Sequence, residues 1–189
     1  VSVLASNPIT LYPPVALDLS AFKENMKNSW VSLSEDALVV TVSGKHDNPG
    51  VRITYGPVVA GAAYTVRITG QKESKGKVGL WVRCHGDGTN LIGLDANMNQ
   101  QRGAVLAEGN PSVGLPPDVE GSVTYSLVVP GKRSSIKLRT PCTTVDIGVL
   151  FSDVHDPYSH GDRFSLTSAQ LIRQPTYESN EIQPTYGYE

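Results

Sequence analysis

Ala63-Tyr64-Thr65-Val66-Arg67-Ile68-Thr69 and Val78-Gly79-Leu80-Trp81-Val82-Arg83-Cys84 are the two stretches that decide the fold class. Both alternate apolar and polar at a period of two, the repeat of an extended strand whose successive side chains point to opposite faces. The same reading marks strands at 37–42, 51–55, 122–128, 136–138, 145–151 and 164–172. Between them lie His46-Asp47-Asn48-Pro49-Gly50, Gly86-Asp87-Gly88 and Pro130-Gly131-Lys132, where Gly, Pro, Asn and Asp supply turn geometries. Many short strands at this spacing predict an all-β fold, an antiparallel sandwich or barrel. Only Asp18-Leu19-Ser20-Ala21-Phe22-Lys23-Glu24-Asn25-Met26 has helical spacing, with a cap at Asp18 or Ser20. The Asn-, Gln- and Gly-rich region 97–117 reads as a long excursion with one strand at 104–107.

Composition agrees. Of 189 residues only 18% are charged, while 18 Gly and 13 Pro supply turns. The net charge is −2, with a pI near 6.1, so no basic surface is expected to hold a phosphate backbone and nucleic acid is excluded as the partner. No stretch approaches the roughly 20 apolar residues of a membrane span. Nor does the chain open on a basic segment followed by an apolar run, so no signal peptide is expected. Cys84 and Cys142 are two buried thiols or one bridge, and the reading leans to thiols.

Alternation also assigns faces. Tyr64, Val66 and Ile68 fall on one side, as do Val78, Leu80, Val82 and Cys84; these are the expected core. The other side carries Thr65, Arg67 and Thr69 on one strand and Trp81, Arg83 and His85 on the next. A large aromatic beside two arginines suits a sugar, since the indole covers the C–H face of a pyranose and guanidinium donors meet hydroxyls. Trp81, Arg83, Arg67 and His85 are therefore the candidate glycan-binding residues. The alternative is that another element covers Trp81. Trp30 is expected to pack in the core.

The tail has its own pattern, Gln174-Pro175-Thr176-Tyr177 recurring as Gln183-Pro184-Thr185-Tyr186. Proline removes ladder donors and favours extended backbone, so 174–189 reads as an arm outside the sandwich. Its Tyr177, Tyr186 and Tyr188 are candidate assembly contacts. The expected division is an N-terminal arm with a short helical turn (1–28), the sandwich (29–173) and the C-terminal arm (174–189).

Asp153, His155, Asp156, His160 and Asp162 lie close together in sequence and could hold calcium through the three carboxylates. No recognised ligand spacing is present, and a solvated loop of Asx turns explains the same letters, so no cofactor is expected. There is no G-x-S-x-G, no phosphate-binding loop and no G-x-G-x-x-G after a strand, and no enzyme activity is expected.

Gly61-Ala62-Ala63-Tyr64-Thr65-Val66-Arg67-Ile68 resembles the strand entry of jelly-roll carbohydrate-binding modules of families 4, 9 and 22. Val78–Cys84 with the Asp87-Gly88 turn is similar to their next hairpin. Gly161-Asp162-Arg163-Phe164-Ser165-Leu166-Thr167-Ser168-Ala169-Gln170-Leu171 resembles their closing strand, and Trp30 stands where such modules often carry a Trp. The resemblance spans 29–173 and implies a β-sandwich holding glycan on a concave face or at a loop end. Thr167 and Ser168 stand where many members have a calcium-binding acid, a departure from the family pattern. The same architecture serves in phage and viral decoration, spike and fibre domains.

Taken together, the sequence reads as a noncatalytic β-sandwich subunit of a larger surface assembly, of the virion decoration, spike or fibre type. Its expected partners are other subunits or copies of itself, with cell-surface glycan as candidate ligand and no membrane insertion. Its expected location is extracellular or on a virion surface. The alternative is a stand-alone or enzyme-appended polysaccharide-binding module.

Overall fold

The computed structural model describes residues 9–25, 29–43, 49–73, 77–85, 92–94, 100–102, 121–131, 141–152 and 161–177. Among these the chain forms β1 (Ile9–Thr10), β2 (Val15–Ala16), a 3-10 turn (Leu19–Ala21), β3 (Lys23–Glu24), β4 (Ser29–Leu33), β5 (Leu38–Val42), β6 (Gly50–Tyr55), β7 (Ala63–Lys72), β8 (Lys77–Cys84), β9 (Ile92–Leu94), β10 (Gln100–Arg102), β11 (Gly121–Val128), β12 (Val145–Ser152), β13 (Arg163–Arg173) and β14 (Thr176–Tyr177). One sheet runs β10-β9-β11-β7-β13-β5-β4, with β2 added to β13; the other runs β3-β6-β12-β8. Every pairing within them is antiparallel.

The two sheets face each other across one core. Val40, Val66, Ile68, Phe164 and Leu166 point in from the larger sheet; Val51, Leu80, Val82, Ile147, Val149 and Phe151 point in from the smaller. Phe151 and Phe164 meet edge to face, 5.2 Å between centroids, and join the sheets through the middle. The expected core side of β7 and β8 is buried throughout, from Tyr64, Val66 and Ile68 to Val78, Leu80, Val82 and Cys84.

β13 is the spine of the larger sheet. Its first half pairs β5 on one edge and its second half pairs β2, while β7 lines the other edge along its length. A register shift between Leu166 and Ser168 inserts Thr167 as a bulge. The inward set changes with it from Phe164 and Leu166 to Ala169 and Leu171, as one extra residue requires at a period of two.

Three local expectations change and one is sharpened: the short helical turn expected within 18–26 is a 3-10 turn, which β3 follows directly after Phe22. Asp18 caps it: the hydroxyl and amide of Ser20 both donate to its carboxylate and hold that carboxyl below the usual range. Cys84 and Cys142 are bridged rather than free, with Cα atoms 5.5 Å apart. β10 falls inside the region read as an excursion; the strands expected at 104–107 and 136–138 lie outside the described residues. At the ends of the chain, β1 pairs β14, so the described parts of the two expected arms lie against each other. Tyr12 supports that ribbon, with its hydroxyl 3.2 Å from Thr176 Oγ1 and the Arg173 guanidinium stacked 4.0 Å from its ring.

Candidate functional site

The outer face of the smaller sheet is organised in cross-strand rows, because directly opposed residues of antiparallel strands share a face. One row is Thr54–Asp146–Arg83, from β6 through β12 to β8. The next is Lys23–Arg52–Gly148–Trp81, beginning on β3. Asp146 is the hub of the first row. It is 5% exposed and accepts a 2.6 Å hydrogen bond from the Thr54 hydroxyl. His85, just past the end of β8, places Nδ1 2.9 Å from the same carboxylate. A carboxylate only accepts, so Nδ1 carries the proton in this contact.

Trp81 does not serve as an open platform. It is 3% exposed and packs with buried Leu150 on this outer face, apart from the main core. Gly148 opposite makes this possible: a Cβ there would lie 2.5 Å from Trp81 Cε2, so the absent side chain is the space the indole fills. Arg83 lies above, its guanidinium 4.0 Å from the ring centroid, in a cation–π stack. Burial pushes the Arg83 guanidinium below its usual range, Asp146 opposes that shift, and Arg52 adds to it. Trp81 Nε1 and Arg83 Nε are buried without an acceptor among the described residues.

Arg67 does not join this group. β7 and β8 are consecutive, but the chain crosses between them to the opposite sheet, so Arg67 stands exposed on the far side of the sandwich, between Thr124 and Gln170. Period-two alternation orders residues within a strand and carries no information about which sheet the strand enters. Arg83 and His85 remain together with Trp81, the latter as a buried support. Arg52, Thr54, Lys23 and Asp146 are additions that sequence reasoning missed. The signal was present in Val145-Asp146-Ile147-Gly148-Val149, where one carboxylate and one glycine interrupt an apolar strand.

Trp30 reverses the expectation of core packing, being 58% exposed on β4 at the edge of the larger sheet. Beside it runs an open groove of about 490 Å³, within the roughly 300–1,000 Å³ of ligand clefts. Val31 and Leu33 of β4, buried Phe22 and Leu38, and Ser20, Lys23 and Glu24 contribute to its lining. Trp30 is itself among the lining residues, although by register it shares a face with Thr41, opposite to Val31. The Ser29 hydroxyl, also at the groove, is buried without a partner among the described residues. Lys23 belongs both to this groove and to the row that leads to Arg52.

Of the other expected residues, Tyr177 lies on β14 with its backbone opposite Ile9, and its side chain is outside the described residues. Tyr186, Tyr188, Asp153 and Asp156 lie outside them altogether. Asp162 precedes β13 and accepts the Val42 amide through its backbone carbonyl.

No protein-family model matches this chain, and no curated protein does either. Solved structures do. The xylan-binding module CBM15 superposes with a TM-score of 0.54 at 9% identity, covering 88% of this chain and 97% of that one. A CBM4 structure gives 0.52 at 12% identity, covering 87% and 97%. The CBM22-1 and GH10 modules of Clostridium thermocellum endo-1,4-beta-D-xylanase 10B, complexed with xylohexaose, give 0.49 at 9% identity; this chain spans 27% of that longer one. The fold is thus the jelly-roll β-sandwich of carbohydrate-binding modules, the class that the resemblance of 29–173 implied. Identities this low establish the fold alone.

Proposed function

We propose that this chain is a noncatalytic polysaccharide-binding module, with the groove beside Trp30 as the seat of the sugar chain. The observation that carries the reading is an exposed tryptophan among the lining of a cleft with mixed apolar and polar walls. Indole and leucine surface suit the C–H faces of pyranoses, and Ser20, Lys23 and Glu24 supply donors and acceptors for hydroxyls. The fold supports the same reading, because CBM15 is described as a xylan-binding module and superposes over 97% of its length. Binding rather than turnover fits the groove, whose described lining holds one carboxylate, Glu24, where glycoside hydrolysis uses two. The Cys84–Cys142 bridge favours an oxidising, extracellular setting. Among the described residues no helix is long and apolar enough to cross a membrane.

The test is affinity electrophoresis and calorimetry against a panel of soluble polysaccharides. Trp30→Ala should weaken binding at least tenfold, roughly the loss of one stacked aromatic contact, with the fold unchanged. Leu33→Arg, which fills the groove from an exposed position, should do the same. Unaltered affinity in both variants would remove the groove from the site.

A second reading is favoured by the apolar residues at the terminal ribbon, where Ile9 is 52% and Leu11 73% exposed. It makes the chain a subunit of a larger extracellular or virion-surface assembly, joined through this ribbon and the tyrosines of 174–189. Light scattering on the full chain and on a chain ending at Arg173 tests it. Equal monomeric masses would reject self-assembly through the arm.

A further inference from the structure

The polar rows on the smaller sheet bear on what kind of sugar chain is bound. Lys23, Arg52 and Arg83 bring three cationic side chains to one face, and Lys23 and Arg52 are exposed. The carboxylate between them, Asp146, is buried and already accepts from Thr54 and from His85. Glu24 is the acidic neighbour on the groove side, next to Lys23 on β3. A face with excess positive charge is suited to anionic oxygens, which guanidinium groups meet with paired donors. From β3 to β8 it crosses three interstrand steps, roughly 14 Å, longer than a single pyranose ring.

Building on the polysaccharide reading, we infer that the ligand is an acidic polysaccharide, whose carboxylate or sulfate groups are received by the track Lys23–Arg52–Arg83 while its sugar rings seat at the Trp30 groove. Lys23 joins the two surfaces, since it belongs to both. The experiment measures binding of the full chain to polygalacturonate, to dextran sulfate and to neutral xylan, in wild type, Arg52→Gln, Lys23→Gln and Trp30→Ala. One of the acidic polymers should bind most tightly, and its identity tells carboxylate from sulfate. Its affinity should fall about tenfold between roughly 20 mM and 500 mM salt, as screened surface charges do. Arg52→Gln and Lys23→Gln should each weaken it roughly two- to fivefold, the scale of an exposed ion pair, and Arg52→Gln, which lies outside the groove, should leave xylan unaffected. Equal binding of neutral and acidic polymers, or indifference of the acidic one to both substitutions, overturns the inference. If xylan binds and is lost only in Trp30→Ala, the polysaccharide reading stands without the anionic track. If acidic binding needs Arg52 and Lys23 but not Trp30, the track stands and the groove falls. Binding of no polymer overturns both.

Discussion

The two tryptophans have exchanged their expected places, and the reason lies in their neighbours. Trp81 sits on a polar-parity position of β8, the last strand of the smaller sheet, yet Gly148 directly across on β12 leaves room for its indole to lie against the sheet. Leu150 beside it and Arg83 above it complete the enclosure. Among the described residues Trp30 lies on β4, the last strand of the larger sheet, beside Thr41 of β5, and it stays 58% exposed. Stability should separate them. Trp81→Ala should cost about 3 kcal/mol or more in urea unfolding, because a large buried side chain leaves a cavity. Trp30→Ala should stay within about 0.5 kcal/mol of wild type, as exposed substitutions do. Equal losses would show that Trp81 is less enclosed than its burial implies.

At the scale of elements, the site depends on two devices that hold strand ends in place. The first is the disulfide, which ties the end of β8 to the segment entering β12 across a separation of 58 residues. It lies in the core side of the same strand ends that carry His85 and Asp146 on the outside. Replacing both cysteines by alanine should therefore cost about 2–4 kcal/mol, chiefly by freeing the unfolded chain. A thiol assay under denaturing conditions should find no reactive cysteine before reduction and two after it. The second device is the Thr167 bulge in β13. By shifting the inward set one residue, it lets a single strand bury Phe164 and Leu166 opposite β5 and Ala169 and Leu171 beyond it. The skipped step was readable in Phe164-Ser165-Leu166-Thr167-Ser168-Ala169-Gln170-Leu171. A continuous strand over 164–172 was the simpler reading, since one parity error in a run of nine also occurs without a bulge.

For the whole molecule, the decisive event is closure of two sheets over one apolar interior, with the first and last described strands paired outside it. That ribbon is small: two residues a side, with the Tyr12–Thr176 contact and the Arg173 stack beside it. Ending the chain at Gln174, which keeps that residue's bonds to Ala63 and Thr65, should remove about 1 kcal/mol, the net worth of a hydrogen bond or two, and lower Tm by about 2–4 °C. Calorimetry on the two chains checks this. An unchanged Tm would mean that the ribbon adds nothing to the fold.

The alternating runs by themselves determined the β class, most strand positions and the inward residues of β7 and β8, because burial on one face of a strand imposes a period of two that a single sequence displays. They determined nothing about which strands share a sheet. Only tertiary structure decided that β7 and β8 part company, sending Arg67 to the far side of the sandwich from Arg83. Only it decided that Gly148 stands opposite Trp81, that Cys84 reaches Cys142, and that Lys23 falls in line with Arg52. Each of these is a contact between segments distant in sequence. Such contacts follow from sheet order and register, which are set by the packing of the whole core and not by the residues of any one strand.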